Sequence, residues 1–155
     1  MKQTPSRRTP AERQRVMALT PRERLEARWA ALALTADHRC VRGPETGMAM
    51  VRGRMGGTGN AFNLGEMTLS RASVALDDGA PDGGPLGHGW VAGRDHRHAE
   101  LIALVDACAQ RPDWAARIDA ELIDPLAASL AEGREAASRT AAATRVDFFT
   151  LVRGE

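Results

Sequence analysis

The sequence predicts an α+β domain, an antiparallel sheet with an N-terminal helical hairpin and further helices packed on one face. Three observations carry that expectation. Two helix-start signals stand at the front, short alternating runs broken by glycines fill residues 38–93, and helical periodicity returns after Arg94.

Both front signals, Thr9-Pro10-Ala11-Glu12 and Thr20-Pro21-Arg22-Glu23, put Thr at the N-cap, Pro at the first helical position and Glu at the third, the pattern of a capping box. The second helix shows Leu25, Trp29 and Leu32 at i, i+4, i+7, opposite Arg22, Glu26 and Ala33, so one side should lie on an apolar surface. Residues 1–35 form this helical segment. Strands are expected over residues 48–55, 67–76 and 86–93, in a meander. Residues 77–85, DDGAPDGGP, make an exposed, mobile loop between two of them. Asp95 caps a helix running to about Gln110 and apolar almost all round. Pro112 and Asp124-Pro125 each start a further helix, and the alanine-rich run to Thr144 continues or frays the last one. The tail 145–153, RVDFFTLVR, reads as a final strand in which Phe148 and Phe149 point to opposite faces. One ring then packs inside, and the other, near Arg153, meets a partner.

Residues 1–155 fit one domain, long enough to hide roughly 70% of its unfolded surface without disulfides or metal. Cys40 and Cys108 stand apart with no CxxC pair, which argues against a zinc ribbon, an Fe-S cluster and a disulfide scaffold and favours a reducing, cytoplasmic setting. No run approaches the roughly 18 apolar residues of a membrane span, and the start lacks the apolar segment of a secretion signal. Twenty of the 21 basic residues are Arg, which with 28 alanines fits base composition as well as function. Residues 1–28 carry eight basic and three acidic side chains, a local excess of five in a chain of net charge +1.

Four groups of residues are candidates for chemistry. Arg54-Met55-Gly56-Gly57-Thr58-Gly59 could curl backbone N–H groups around a phosphate, yet it lacks the Gly-Lys-Ser/Thr ending of a P-loop, and a glycine turn between strands with at least one positive φ is the commoner case for such a pattern. Arg52 and Arg54 share a strand face, and Arg71 and Arg94 might be brought to them across a sheet to hold a polyphosphate; solvated arginines are the commoner case. His98 and Glu100 are acid and base candidates at a strand-to-helix junction, although Glu100 also suits a helix N-terminus and His98 a local hydrogen bond. His96 and His98 diverge on a helix, so no metal pair is expected.

Four separated segments also carry a resemblance: Glu45-Thr46-Gly47, the Arg54 to Gly59 run, Gly89-Trp90-Val91-x-Gly93-Arg94-Asp95-x-x-His98-Ala99-Glu100, and Val146-Asp147-Phe148-Phe149-Thr150-Leu151-Val152-Arg153-Gly154. Together they resemble the PhnG family, the G subunits of the carbon-phosphorus lyase core complex, in the family's order from about residue 35 to the C-terminus. Thr35-Ala36-Asp37 and Leu69-Ser70-Arg71-Ala72 fit as well, while the 77–85 loop is longer than usual for the family.

The resemblance implies a cytoplasmic accessory subunit that assembles with the H, I and J subunits, with L needed for activity. In that family the complex forms α-D-ribose 1-methylphosphonate 5-triphosphate from ATP and methylphosphonate by displacing adenine. ATP and methylphosphonate are then substrates of the complex, with no cofactor or metal in this chain. Two other readings remain at this level. An independent nucleotide-binding enzyme would use His98 and Glu100. A nucleic-acid adaptor would use the Arg-rich front, against which Glu12, Glu23 and Glu26 are interleaved.

Overall fold

The computed structural model describes residues 8–77, 79 and 83–144. Helix α1, Pro10–Leu19, opens with the expected capping box: the Thr9 hydroxyl accepts from the Glu12 N–H at 3.3 Å, and the Glu12 carboxylate accepts from the Thr9 N–H at 2.7 Å. Those bonds hold the Glu12 carboxyl below its usual range. The second box does not form. Helix α2, Arg22–Ala31, has no side-chain cap, and Thr20 is buried with its hydroxyl donating back to the Val16 carbonyl at 2.8 Å. Its side chain closes α1 and cannot also start α2, since one hydroxyl serves one end of a tight turn. The apolar stripe holds, with Leu25 and Leu32 buried and Trp29 packed against the core.

Among the described residues the sheet has three antiparallel strands in the order β1–β2–β3: His38–Arg54, Ala61–Leu76 and Leu86–Ala92. Both β1 and β2 are longer than the sequence suggests. Pairing begins at His38 with Leu76, passes register shifts near Arg42 and Glu45, and continues to Arg54 with Ala61. Only residues 69–75 of β2 also pair with β3. The far part of β1 and β2 is therefore a two-stranded ribbon extending about 20 Å beyond the three-stranded region, at about 3.3 Å per residue.

Helix α3, His96–Ala109, is capped by Asp95, which accepts from the His98 N–H at 3.0 Å. It lies on the sheet through Ala99, Ile102, Ala103 and Ala107, facing Gly87 and Gly89 of β3 and the buried Ala72, Val74 and Leu76 of β2. The all-round apolar pattern of α3 follows from its place between this sheet and the remaining helices. Helix α4, Pro112–Ile118, leads through a π turn, Asp119–Ile123, straight into α5, Asp124–Ala143. Asp124-Pro125 starts α5 as expected, but with no break before it, because the π turn joins α4 to α5. The wide turn precedes Pro125, which lacks the N–H needed to close an ordinary α turn. The second half of α5, residues 131–143, is exposed all round.

Of the 77–85 loop, Asp77 and Gly79 are exposed, and the Asp77 N–H donates to the Asp37 carbonyl at 2.8 Å. The tail strand expected over 145–153 lies outside the described residues.

The two thiols differ. Cys108 is buried in the core, and burial pushes its thiol up from 9.0 to about 11. Cys40 is exposed and donates to a Glu100 carboxylate oxygen at 3.1 Å, which also raises its thiol. A group whose pKa is raised on folding stabilises the fold below its unfolded pKa and loses that contribution as pH climbs. The chain has no Tyr and a single Lys to obscure this. Melting temperature under reducing conditions should fall between about pH 9 and pH 11. Cys108→Ala should flatten most of that slope and Cys40→Ala a smaller part. An unchanged slope in Cys108→Ala would contradict the assignment.

Candidate functional site

The glycine cluster forms the tip of the ribbon. Met55–Gly57 is one 3₁₀ turn, Gly56 and Gly57 have φ of 61° and 79°, and the Gly59 N–H donates to the Met55 carbonyl at 3.0 Å. A positive φ at two adjacent positions explains the paired glycines. The Arg54 guanidinium donates to the Gly59 carbonyl at 3.0 Å and straps the turn shut. Thr58 is exposed beside it.

The four arginines do not converge. Arg52 and Arg54 share a face near the tip, whereas Arg71 stands on the opposite face, opposite Glu45 in the register, and donates to that carboxylate at 2.7 Å. Arg42 donates to the same oxygen at 2.9 Å, and the two guanidiniums hold the Glu45 carboxyl below its usual range. Arg94 follows Gly93, whose N–H donates to the Thr68 carbonyl at 2.9 Å, and makes no ion pair among the described residues.

His98 and Glu100 point apart. His98 is buried, and its Nε2 lies 3.0 Å from the Met17 carbonyl; a carbonyl only accepts, so Nε2 carries the proton and ties α3 to α1. Glu100 instead faces Cys40 and lines a groove of about 480 Å³ with Trp29, His38, Arg97 and Leu104. Arg97 closes one side by pairing with Glu26 at 2.7 Å. His96 turns to β1, with Nε2 2.7 Å from the Thr46 hydroxyl. No group of three or more His, Cys, Asp or Glu placed to hold a metal occurs among the described residues.

The sheet face away from α3 carries features that sequence reasoning missed. Cross-strand partners share a face, so Trp90 lies beside Arg71, and Met67 lies beside Ala49. The Trp90 and His88 rings are stacked 6.4 Å apart, and the Ser73 hydroxyl lies 2.9 Å from His88 Nδ1. Toward the tip the same face carries Leu64 and Phe62. The alternation that would have revealed them is interrupted by a register shift between Val51 and Arg52, which inserts Leu64 as an extra residue and hides the strand period. Phe148, Phe149 and Arg153, the expected interface residues, lie outside the described residues.

What this arrangement offers chemically is surface: an exposed hairpin tip, an apolar sheet face and an open groove. The comparisons with known proteins agree with the motifs. The family model for the phosphonate metabolism protein PhnG matches residues 8–154. A curated relative from Rhizobium meliloti (strain 1021), alpha-D-ribose 1-methylphosphonate 5-triphosphate synthase subunit PhnG, is 46% identical over 145 residues, covering 93% of this chain and 88% of the relative. Matched along nearly its whole length by both, the chain belongs to the PhnG family of phosphonate metabolism proteins.

Proposed function

We propose that this chain is the G subunit of a ribose 1-methylphosphonate 5-triphosphate synthase and contributes surface to the assembled enzyme, not a complete active site of its own. The observation that carries the reading is the 46% identity, along 93% of the chain, to a subunit of that synthase. The separation of His98 from Glu100 supports it, because general acid and base must reach the same reacting atoms, and here His98 is occupied by the Met17 carbonyl. The partners are the H, I and J subunits, with L required for activity, and ATP and methylphosphonate are substrates of the whole. The setting is cytoplasmic; among the described residues no helix is long and apolar enough to cross a membrane. The hairpin-tip residues Arg54, Gly56, Gly57, Thr58 and Gly59, with Arg94, are the positions at which this chain would touch a triphosphate.

Reconstitution tests the reading. The remaining subunits, mixed with ATP and methylphosphonate, should release adenine only when this chain is added, and the chain alone should neither release adenine nor bind ATP tightly by calorimetry. Adenine release at full rate without the chain, or catalysed by it alone, would overturn the proposal.

A further inference from the structure

The ribbon, residues 47–68, presents an unusual combination of length, apolarity and isolation. An isolated two-stranded hairpin is marginal in water, and among the described residues this one runs past the end of β3 with no third strand beside it. Its outer row on β2 is nonetheless large and apolar: Leu64 is 62% exposed, Phe62 43% and Met67 40%. The facing row on β1 is small, with Gly47, Ala49, Val51 and Gly53, so the two rows form a ledge and a shallow trough. A Cβ on Gly53 would meet the Leu64 side chain at 2.7 Å, which places Leu64 over that trough. The trough continues toward Trp90, itself 52% exposed. Exposed large apolar side chains in a contiguous patch mark an interaction surface.

The opposite face of the ribbon has a different character. It carries Met48 and Met50, then Arg52 and Arg54, with Glu66 the one acidic residue of the ribbon. Among the described residues the Arg52 side chain makes no hydrogen bond or ion pair, and that of Arg54 bonds only the Gly59 carbonyl. Most arginines of the body, such as Arg13, Arg22, Arg71 and Arg97, hold carboxylates. The ribbon thus offers apolar surface on one side and, on the other, two exposed methionines, Met48 at 64% and Met50 at 49%, followed toward the tip by arginine that no carboxylate holds among the described residues.

Building on the subunit reading above, we infer that the ribbon is a docking arm clasped by a different subunit of the synthase, in a cleft whose one wall is apolar and covers Phe62, Leu64 and Met67, and whose other wall bears a carboxylate that pairs with Arg52. Charge complementarity selects this occupant. A second copy meeting the arginine face across a two-fold axis would set like charges against each other, whereas a carboxylate-bearing wall completes the fork geometry of guanidinium.

The test uses a tagged full chain coexpressed with the other synthase subunits, with partner recovery on the tag read beside the melting temperature of each chain purified alone. Leu64→Glu with Met67→Glu should cut recovery about tenfold or more, and Arg52→Glu should cut it in the same direction, while Arg52→Lys retains most of it. All three should melt within about 2 °C of the parent, since these side chains are outside the core. If the parent recovers no synthase subunit, the subunit reading itself fails. If the parent recovers them and the ribbon variants do so equally, the docking arm is refuted and the subunit reading stands. Should the chain alone size as a dimer that Leu64→Glu with Met67→Glu converts to monomer, the occupant is a second copy and the inference is overturned.

Discussion

Gly89→Ala should destabilise the isolated chain by about 3 kcal/mol, and Gly89→Val should leave it unfolded, because the substitution forces two backbones apart. A Cβ on Gly89 would meet the Ala103 nitrogen at 2.6 Å and the Ile102 Cβ at 3.0 Å, with the Ala99 carbonyl oxygen closer still. Gly87 faces the same helix in the same way, its Cβ meeting the Ala107 Cβ at 2.8 Å. Two glycines spaced two apart on β3, facing alanines on α3, let the helix axis approach the sheet more closely than side chains of ordinary size permit. No rotamer relieves a clash with main-chain atoms, so α3 must move as a unit and open the core beneath it. Gly133 in α5 is the control: nothing lies within 4 Å of its Cβ position, and Gly133→Ala should stabilise by about 0.5 to 1 kcal/mol through helix propensity. Urea denaturation of the three variants measures this, and a Gly89→Ala midpoint equal to the parent's would show that the α3–β3 contact is looser than the geometry describes.

The second large effect is expected at the buried ion pair. Arg13 of α1 donates through Nε to one Asp119 oxygen at 2.6 Å and through a terminal nitrogen to the other at 2.8 Å, with the two residues 4% and 8% exposed. Hydrogen bonding to Asp119 holds the Arg13 guanidinium above its ordinary value. Asp119→Ala should cost about 3 to 5 kcal/mol, because it leaves a buried guanidinium without its carboxylate. Replacing both partners together, Arg13→Met with Asp119→Leu, should return stability to within about 1 kcal/mol of the parent, since desolvation of the two charges largely offsets their attraction. Chemical denaturation of the singles and the double closes the cycle. A double variant as unstable as Asp119→Ala would mean that the pair is worth more than an apolar replacement of the same volume.

Neither effect was visible in the chain read as a string. Gly87 and Gly89 stood in a strand-like run as glycines of no evident purpose, and their role appears only when α3 lies across them. Arg13 and Asp119 are more than a hundred positions apart, so pairing them requires the packing of α1 on the π turn. The same holds for the site. The Gly56-Gly57 turn was legible because positive φ is a local property, but the position of Arg71 on the opposite face from Arg52 depends on strand pairing. His98 could be given a local hydrogen bond or a catalytic role with equal justice; the Met17 carbonyl, on another helix, decides where its ring points.

The sequence by itself determined what neighbours in the chain determine: the Thr9-Glu12 box, the Asp95 cap, the apolar faces of α2 and α3, the alternation of helix and strand, and, through four ordered motifs, the family. Tertiary structure decided the rest. It spent the Thr20 hydroxyl on closing α1, joined α4 and α5 through a π turn, and carried β1 and β2 past β3 as a ribbon. Caps, turns and amphipathic stripes depend on contacts within a few residues, which spacing encodes directly. Sheet length and register depend on hydrogen bonds to a second strand, and a single inserted residue such as Leu64 shifts the period of one strand without any mark in the other.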